Sequence, residues 1–309
     1  MQVAVLIPAK DAAPTVGRAV GSALTDAATA EVVVIDDGST DDTADAARRM
    51  DDGSGRLRIL RQANTGPSGA LNRGHAASTA PYVCVLDADD FFLPGRLTRI
   101  FQESRTDWDM AADRLLLARE GAEDGPYEHW GGAIPADGLV SFAAFVSGNI
   151  TDPKRPRTEL GYLQPVFRRD FLDAHAIRYD EAVRLGEDYL FYAEALGQGA
   201  RFEVVRSYGY VAVARANSLS HRHSSSDLHA LLQADRRLLQ TLELTPEERR
   251  VLRRHIHFVR QKWAYHFALD AKAQGDLGAA LPRLIRNLDV LGYGVNRTLR
   301  ARLGRRAPV

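Results

Sequence analysis

The chain has 309 residues, 45% hydrophobic and 26% charged, with a formal net charge of zero. That length suits one large α/β domain with a smaller appendage, and the balanced composition excludes disordered, collagenous and coiled-coil chains. A single cysteine, Cys84, excludes an intramolecular disulfide and counts against a cysteine-based zinc site.

The first hundred residues alternate strand and helix signals. Val3–Ile7 is a short apolar strand without the basic start of a signal peptide, so the expected compartment is cytoplasmic. A helix is predicted over Thr15–Leu24. Val32–Ile35 is a continuous β-branched and apolar run, the look of a strand buried on both faces. Ser39–Asp42 offers N-cap residues to a helix over Ala44–Met50. Strand Leu57–Leu60, helix Ser68–Ser78 and strand Tyr82–Leu86 follow. This βαβαβαβ order predicts an α/β fold, a Rossmann-like, mostly parallel sheet flanked by helices.

Further on, Trp108–Arg119 extends the sheet, and Gly121–Gly138 and Thr151–Arg157 read as loops around a short helix over Ser141–Ser147. Glu187–Leu196 reads as a helix, and Phe202–Val205 and Tyr208–Val213 as two strands. From Leu228 the pattern is helical only. Leu228, Leu231, Leu232, Leu238, Leu239 and Leu242 form one stripe, and Val251–Ala271 is a second helix. The expected domains are residues 1–227, with a nucleotide-binding part over about 1–113 and an acceptor part over about 114–227, and a helical C-terminal region over 228–309. No run approaches the roughly 20 apolar residues that span a bilayer.

Zero net charge hides an asymmetry. From Leu232 onward there are 16 Lys and Arg against 7 Asp and Glu, so the remainder is acidic. An acidic front suits a metal and a phosphorylated ligand, and a basic tail suits an anionic surface.

Ligands of parallel sheets collect beyond the carboxyl ends of the strands. Val32–Ile35 runs into Asp36-Asp37-Gly38-Ser39, and Tyr82–Leu86 into Asp87-Ala88-Asp89-Asp90. Asp-Gly-Ser-Thr alone reads as a turn and helix cap. Five carboxylates at neighbouring strand ends repel one another unless a cation sits among them, and oxygen ligands select Mg²⁺ or Mn²⁺.

With these motifs on the page, the chain resembles a family 2 glycosyltransferase of GT-A fold, of the bacterial exopolysaccharide type. Leu6-Ile7-Pro8-Ala9 resembles the family's opening strand, and Val33–Asp41 its nucleotide-binding motif. Asn64-Thr65-Gly66 with Ala70-Leu71-Asn72-Arg73-Gly74 resembles a donor-binding segment. Leu86–Asp90 resembles the DxD metal motif, Gly186-Glu187-Asp188 the Glu-Asp motif that carries the base, and Ser218–Arg222 the segment closing over the donor. Leu71 stands where the family usually has Arg. Arg73, two residues on, faces elsewhere on a helix.

The resemblance implies an inverting, metal-dependent transfer from a nucleoside-diphosphate sugar, a UDP-sugar, to a glycan or lipid-linked saccharide. It implies Asp188 as the base with Glu187 beside it, and Asp89 as a metal ligand with Asp87 and His221. It also implies donor contacts from Pro8, Ala9, Asp36 or Asp37, Asn64, Gly66, Asn72, Arg73, Asp87, Arg215 and Arg222. Ordinary helix N-terminal charge is the plain alternative for Glu187-Asp188, and a surface loop the plain alternative for His221. A sugar nucleotidyltransferase usually carries a Gly-rich loop after its first strand, where this chain has Pro8-Ala9-Lys10-Asp11. A non-catalytic sugar-nucleotide or polysaccharide-binding protein has no need of Asp188. Arginines of residues 295–309 could dock on an anionic membrane as a peripheral contact or form a solvated terminus. The tail lacks the interleaved aromatics of a nucleic-acid platform.

Overall fold

The computed structural model describes residues 1–105, 107–129, 134–135, 138–150, 160–214 and 224–275. The chain divides into two compact units, Met1–Ser218 and Leu219–Val309.

In the first unit, β1 (Val3–Ala9), α1 (Val16–Leu24), β2 (Thr29–Asp37), α2 (Thr43–Arg48), β3 (Leu57–Gln62), α3 (Gly66–Ala77) and β4 (Tyr82–Val85) follow the expected alternation. Next come β5 (Phe91–Phe92), α4 (Arg96–Glu103), β6 (Met110–Arg119), β7 (Glu128–His129), β8 (Leu139–Val140) and α5 (Phe142–Gly148). Then follow a 3₁₀ turn (Leu160–Tyr162), β9 (Val166–Arg168), α6 (Arg169–Ala174), α7 (Glu187–Gly197) and β10 (Phe202–Ala214). Among the described residues these strands form one sheet in the order β3-β2-β1-β4-β9-β6-β10-β5, with β7 on β6 and β8 on β10. β3, β2, β1 and β4 pair in parallel. β9 runs antiparallel between β4 and β6, and β10 is parallel to β6. The arrangement is the GT-A fold.

Val32, Val33, Val34 and Ile35 are fully buried, as a strand covered on both faces requires. Several short elements escape the sequence reading, among them β8 and α6, and β7 (Glu128–His129) is a strand inside the expected loop Gly121–Gly138. β9 and β5 have three and two residues, too short to show a period. The amphipathic α4 starts at Gly95, whose φ of 72° is left-handed. Phe202–Val213, expected as two strands, is one strand whose register against β6 shifts between Val204 and Tyr210. The bulge turns Arg206 to solvent and leaves both flanking apolar runs buried.

The second unit opens earlier than the expected break at 227/228. Ser224 and Asp227 form a capping box that starts α8 (Ser225–Thr241) ahead of the leucine stripe. Thr245 and Glu248 do the same for α9 (Pro246–Ala273). Between these helices Asp235 and His255, both buried, meet at 2.8 Å. No helix of the described residues is long and apolar enough to cross a membrane.

Candidate active site

The carboxyl ends of β1, β2 and β4 lie side by side. Pro8 and Ala9 end β1, and Asp36 and Asp37 end β2. Both acids are nearly fully buried, and their oxygens are occupied by the chain itself. Asp36 accepts from the Ser39 N–H (2.9 Å) and Arg61 Nε (3.0 Å). Asp37 accepts from the N–H groups of Thr65 and Gly66 and from Gln62 Nε2, each at 2.8 Å. It therefore caps α3 from a neighbouring strand, satisfying donors that a helix start leaves open. Asn64 assists through Oδ1, 3.1 Å from the Gly66 N–H, and Gly66 takes a φ of 84° that glycine adopts without strain.

Asn72 departs from its expected donor contact. Its amide clamps the Tyr179 backbone from both sides, N–H to Oδ1 and Nδ2 to C=O at 2.9 Å each, and Nδ2 also reaches Glu181 at 3.1 Å. Leu71 is buried, whereas Arg73 is exposed and donates to Gln62 Oε1 at 3.2 Å. The two face apart, as their spacing predicts.

The second group of acids is arranged differently. Asp87 and Asp89 follow β4 and are half-buried. Glu187 and Asp188 are half-buried in the first turn of α7, behind the left-handed Gly186. Burial, then the charges of Asp188, Asp89 and Glu187, hold the Asp87 carboxyl well above the usual carboxylate range. Burial also raises Glu187. Burial and the Glu187 charge push Asp188 up to about 7, against hydrogen bonds from Tyr179 and Gln164 that favour its ionised form. The Tyr179 hydroxyl donates to Asp188 Oδ1 at 3.2 Å.

Sequence reasoning missed the residues that hold these acids. Tyr210 Oη donates to Asp90 Oδ2 (2.8 Å) and accepts the Asp87 N–H (3.2 Å), while Asp90 Oδ1 takes the Val213 N–H (2.8 Å). Asp90 thus fastens the acidic loop to β10. Burial and the charges of Asp87 and Asp89 hold its carboxyl well above the ordinary range. Arg18 of α1 reaches the Asp89 carbonyl at 3.4 Å and lies 4.8 Å over the Phe91 ring. Gln164, a buried amide between Leu163 and Val166, offered one signal, a lone polar side chain in an apolar run. Arg215, His221, Arg222 and the tail 295–309 lie outside the described residues.

Among the described residues no three His, Cys, Asp or Glu side chains close on one point as a ready-made metal cage. The donor set nevertheless fits a divalent cation. Neighbouring carboxylate oxygens suit Mg²⁺ or Mn²⁺, and such ions are commonly held by one or two carboxylates plus substrate phosphates.

Comparison with known proteins speaks to the family and the fold. The family described as "Glycosyl transferase family 2" matches residues 4–130. The succinoglycan biosynthesis protein ExoU of Rhizobium meliloti is 45% identical over 282 residues, covering 90% of this chain and 81% of that protein. ExoO of the same organism is 30% identical over 279 residues, covering 89% and 79%. Among solved structures, S. aureus TarS in complex with UDP-GlcNAc superposes with a TM-score of 0.67 at 17% identity, covering 92% of this chain and 81% of that one. The mannosyltransferase PcManGT from Pyrobaculum calidifontis, in complex with GDP-Man and Mn²⁺, gives a TM-score of 0.58 at 16% identity, covering 96% and 80%.

Proposed function

Since the chain belongs to glycosyltransferase family 2, we propose that it moves a sugar from a nucleoside-diphosphate donor, a UDP-sugar, to a saccharide or lipid-linked saccharide during exopolysaccharide assembly. The observation that carries this reading is the meeting of two acid groups, Asp87 and Asp89 with Glu187 and Asp188, where burial and then the charges of Asp188, Asp89 and Glu187 raise Asp87. The succinoglycan role of the relatives and the UDP-GlcNAc bound to a structure of like fold support the acceptor and donor classes.

Asp89, with Asp87, would hold a divalent cation. Such an ion supplies charge neutralisation at the donor diphosphate as the sugar departs. The chain's own part lies at Asp188. Its carboxylate takes the proton of the acceptor hydroxyl while that oxygen bonds the anomeric carbon from the face opposite the leaving diphosphate. The bond to the diphosphate oxygen breaks with its electron pair, so configuration inverts in one displacement and no protein nucleophile is needed. A base with a pKa of about 7 is matched to this task, since about half of it is ionised at neutral pH and the carboxylate is more basic than an ordinary aspartate. Tyr179 donates to Asp188 Oδ1 and steadies the carboxylate that takes the proton. Arg18, beside the Asp89 loop, and Arg215 and Arg222, as the family resemblance implies, complete the basic groups assigned to the diphosphate.

NMR of the anomeric proton in the first-formed product tests the scheme. Inversion is expected, and retention overturns the direct displacement. The basic tail is proposed to dock on anionic membrane near a lipid-linked acceptor. Truncation of 295–309 should then reduce co-sedimentation with anionic vesicles at low salt, and unchanged sedimentation removes it from the scheme.

A further inference from the structure

A buried cation lies beneath the acids. Arg96 opens α4 and is fully buried. Its Nε and Nη2 both reach Asp113 Oδ1, at 3.0 and 2.8 Å, and Nη2 also donates to the Gln164 carbonyl oxygen at 2.6 Å. The guanidinium lies between two rings, 4.6 Å from the Phe92 centroid and 5.0 Å from that of Tyr210. Gly209 of β10 makes this packing possible. A Cβ there would stand 2.7 Å from both Arg96 Cγ and Asp113 Oδ2.

Burying an ion pair is no economical way to stabilise a fold, because desolvation consumes most of the attraction. The contacts of this pair indicate what it holds in place. Gln164 receives Arg96 on its backbone oxygen and donates from its side-chain amide to the Asp188 carboxylate. The Gln164 Oε1 lies 3.3 Å from the Tyr192 hydroxyl, which also donates to the Leu163 carbonyl at 2.9 Å. With Oε1 turned toward that hydroxyl, the NH₂ end of the amide is left facing Asp188. Tyr179 and Gln164 then hold the carboxylate by hydrogen bonds from two different segments.

Resting on the assignment of Asp188 as the base, the geometry points to Gln164 as a positioning residue that orients the Asp188 carboxylate, with Arg96 as its buried anchor. Gln164 touches neither substrate nor reacting atom in this scheme. It acts through Asp188, on the acceptor side only, so its loss lowers kcat and spares the donor. Arg96 acts through Gln164, so the two residues work in series.

The test uses the full chain and its sugar-nucleotide reaction. Gln164→Met keeps the volume and removes the amide. It is expected to lower kcat about 10-fold to 100-fold, the range for one hydrogen bond to an ionised group. Donor KM and nucleotide affinity by calorimetry stay within about twofold. A purely packing role would instead lower the folded fraction and the melting temperature without splitting kcat from KM. Unchanged kcat in Gln164→Met overturns the proposal. Arg96→Lys, which keeps the charge but cannot serve Asp113 and Gln164 together, follows as a partner variant. The double variant should lose no more than the worse single one, because the residues act in one chain. Multiplying losses would remove Arg96 from the role. Asp188→Asn separates the premise from the inference. If that variant keeps turnover, Asp188 is not the base, whatever Gln164→Met does.

Discussion

The same side chain stands at the carboxyl ends of β2 and β4 and is used in opposite ways. Asp36 and Asp37 are surrounded by donors, namely two helix-start N–H groups, a turn N–H, an amide and a guanidinium. Asp87 is lifted by burial first and then by the charges of Asp188, Asp89 and Glu187. One pair is neutralised by the chain and holds the fold. The other brings like charges together at one place. Residue type and position in a motif do not separate the two; the count of donors around each carboxylate does.

The largest expected effect breaks the second group. Asp89→Ala should abolish turnover and metal-dependent nucleotide binding together. Asp188→Asn should cost about 10²–10⁴-fold in kcat with nucleotide affinity retained. Calorimetry with Mn²⁺ and UDP alongside rate measurements checks both, and equal loss of affinity in the two variants would refute the division of roles.

The pH dependence sharpens the contrast next. The base must be ionised, so kcat should rise with pH on a limb at or below about 7, by about tenfold per unit on its acid side. A bound cation moves this limb lower by favouring the ionised form. Stability of the metal-free chain runs the other way. Folded Asp188, at about 7, holds its proton more tightly than an unfolded aspartate near 3.9. Its contribution is complete below about pH 4 and is lost as pH rises through 7. The melting temperature should therefore fall between pH 5 and 8, in a metal-free buffer series.

Stability also divides the two groups by mutation. Asp37→Ala removes the acceptor of the Thr65 N–H and one of the two acceptors of the Gly66 N–H, both part-buried, and should cost about 1–3 kcal/mol in denaturant unfolding. Asp87→Asn removes a repelling charge and should raise the metal-free melting temperature while turnover fails. A stability loss in both variants would erase the contrast. The smallest effect belongs to Arg61→Ala. The Arg61 side chain is 67% exposed, and Asp36 keeps its Ser39 N–H, so unfolding should change by less than about 1 kcal/mol.

The parallel half of the sheet was legible because short, mostly apolar strands alternate with helix signals along the first hundred residues. The acids were legible because they follow those strands directly. Their uses were not. Thr65 and Gly66 lie 28 and 29 residues from Asp37, and Tyr179 lies 107 residues from Asn72. No local pattern joins partners at that distance. Asn72 was read as a donor contact because its motif resembles one, yet its amide is taken up by the backbone of the segment leading to the Glu-Asp turn. Arg96 sits in Pro-Gly-Arg-Leu, where no local pattern sets it apart from an exposed arginine. Only the rings of Phe92 and Tyr210 and the Asp113 carboxylate reveal it as interior.

Gly209 gives that interior cation a consequence for sequence change. Its φ lies outside the left-handed range, so backbone preference does not require glycine there. What forbids any other residue is the volume already filled by Arg96 and Asp113. In a saturation scan position 209 should be nearly as intolerant as the acids themselves, though it carries no charge and has no side chain. A second-site change that shrinks residue 96 could restore folding to Gly209→Ala without restoring turnover. Variant libraries of this enzyme should therefore treat 96, 113 and 209 as one unit of inheritance, to be exchanged together or left alone.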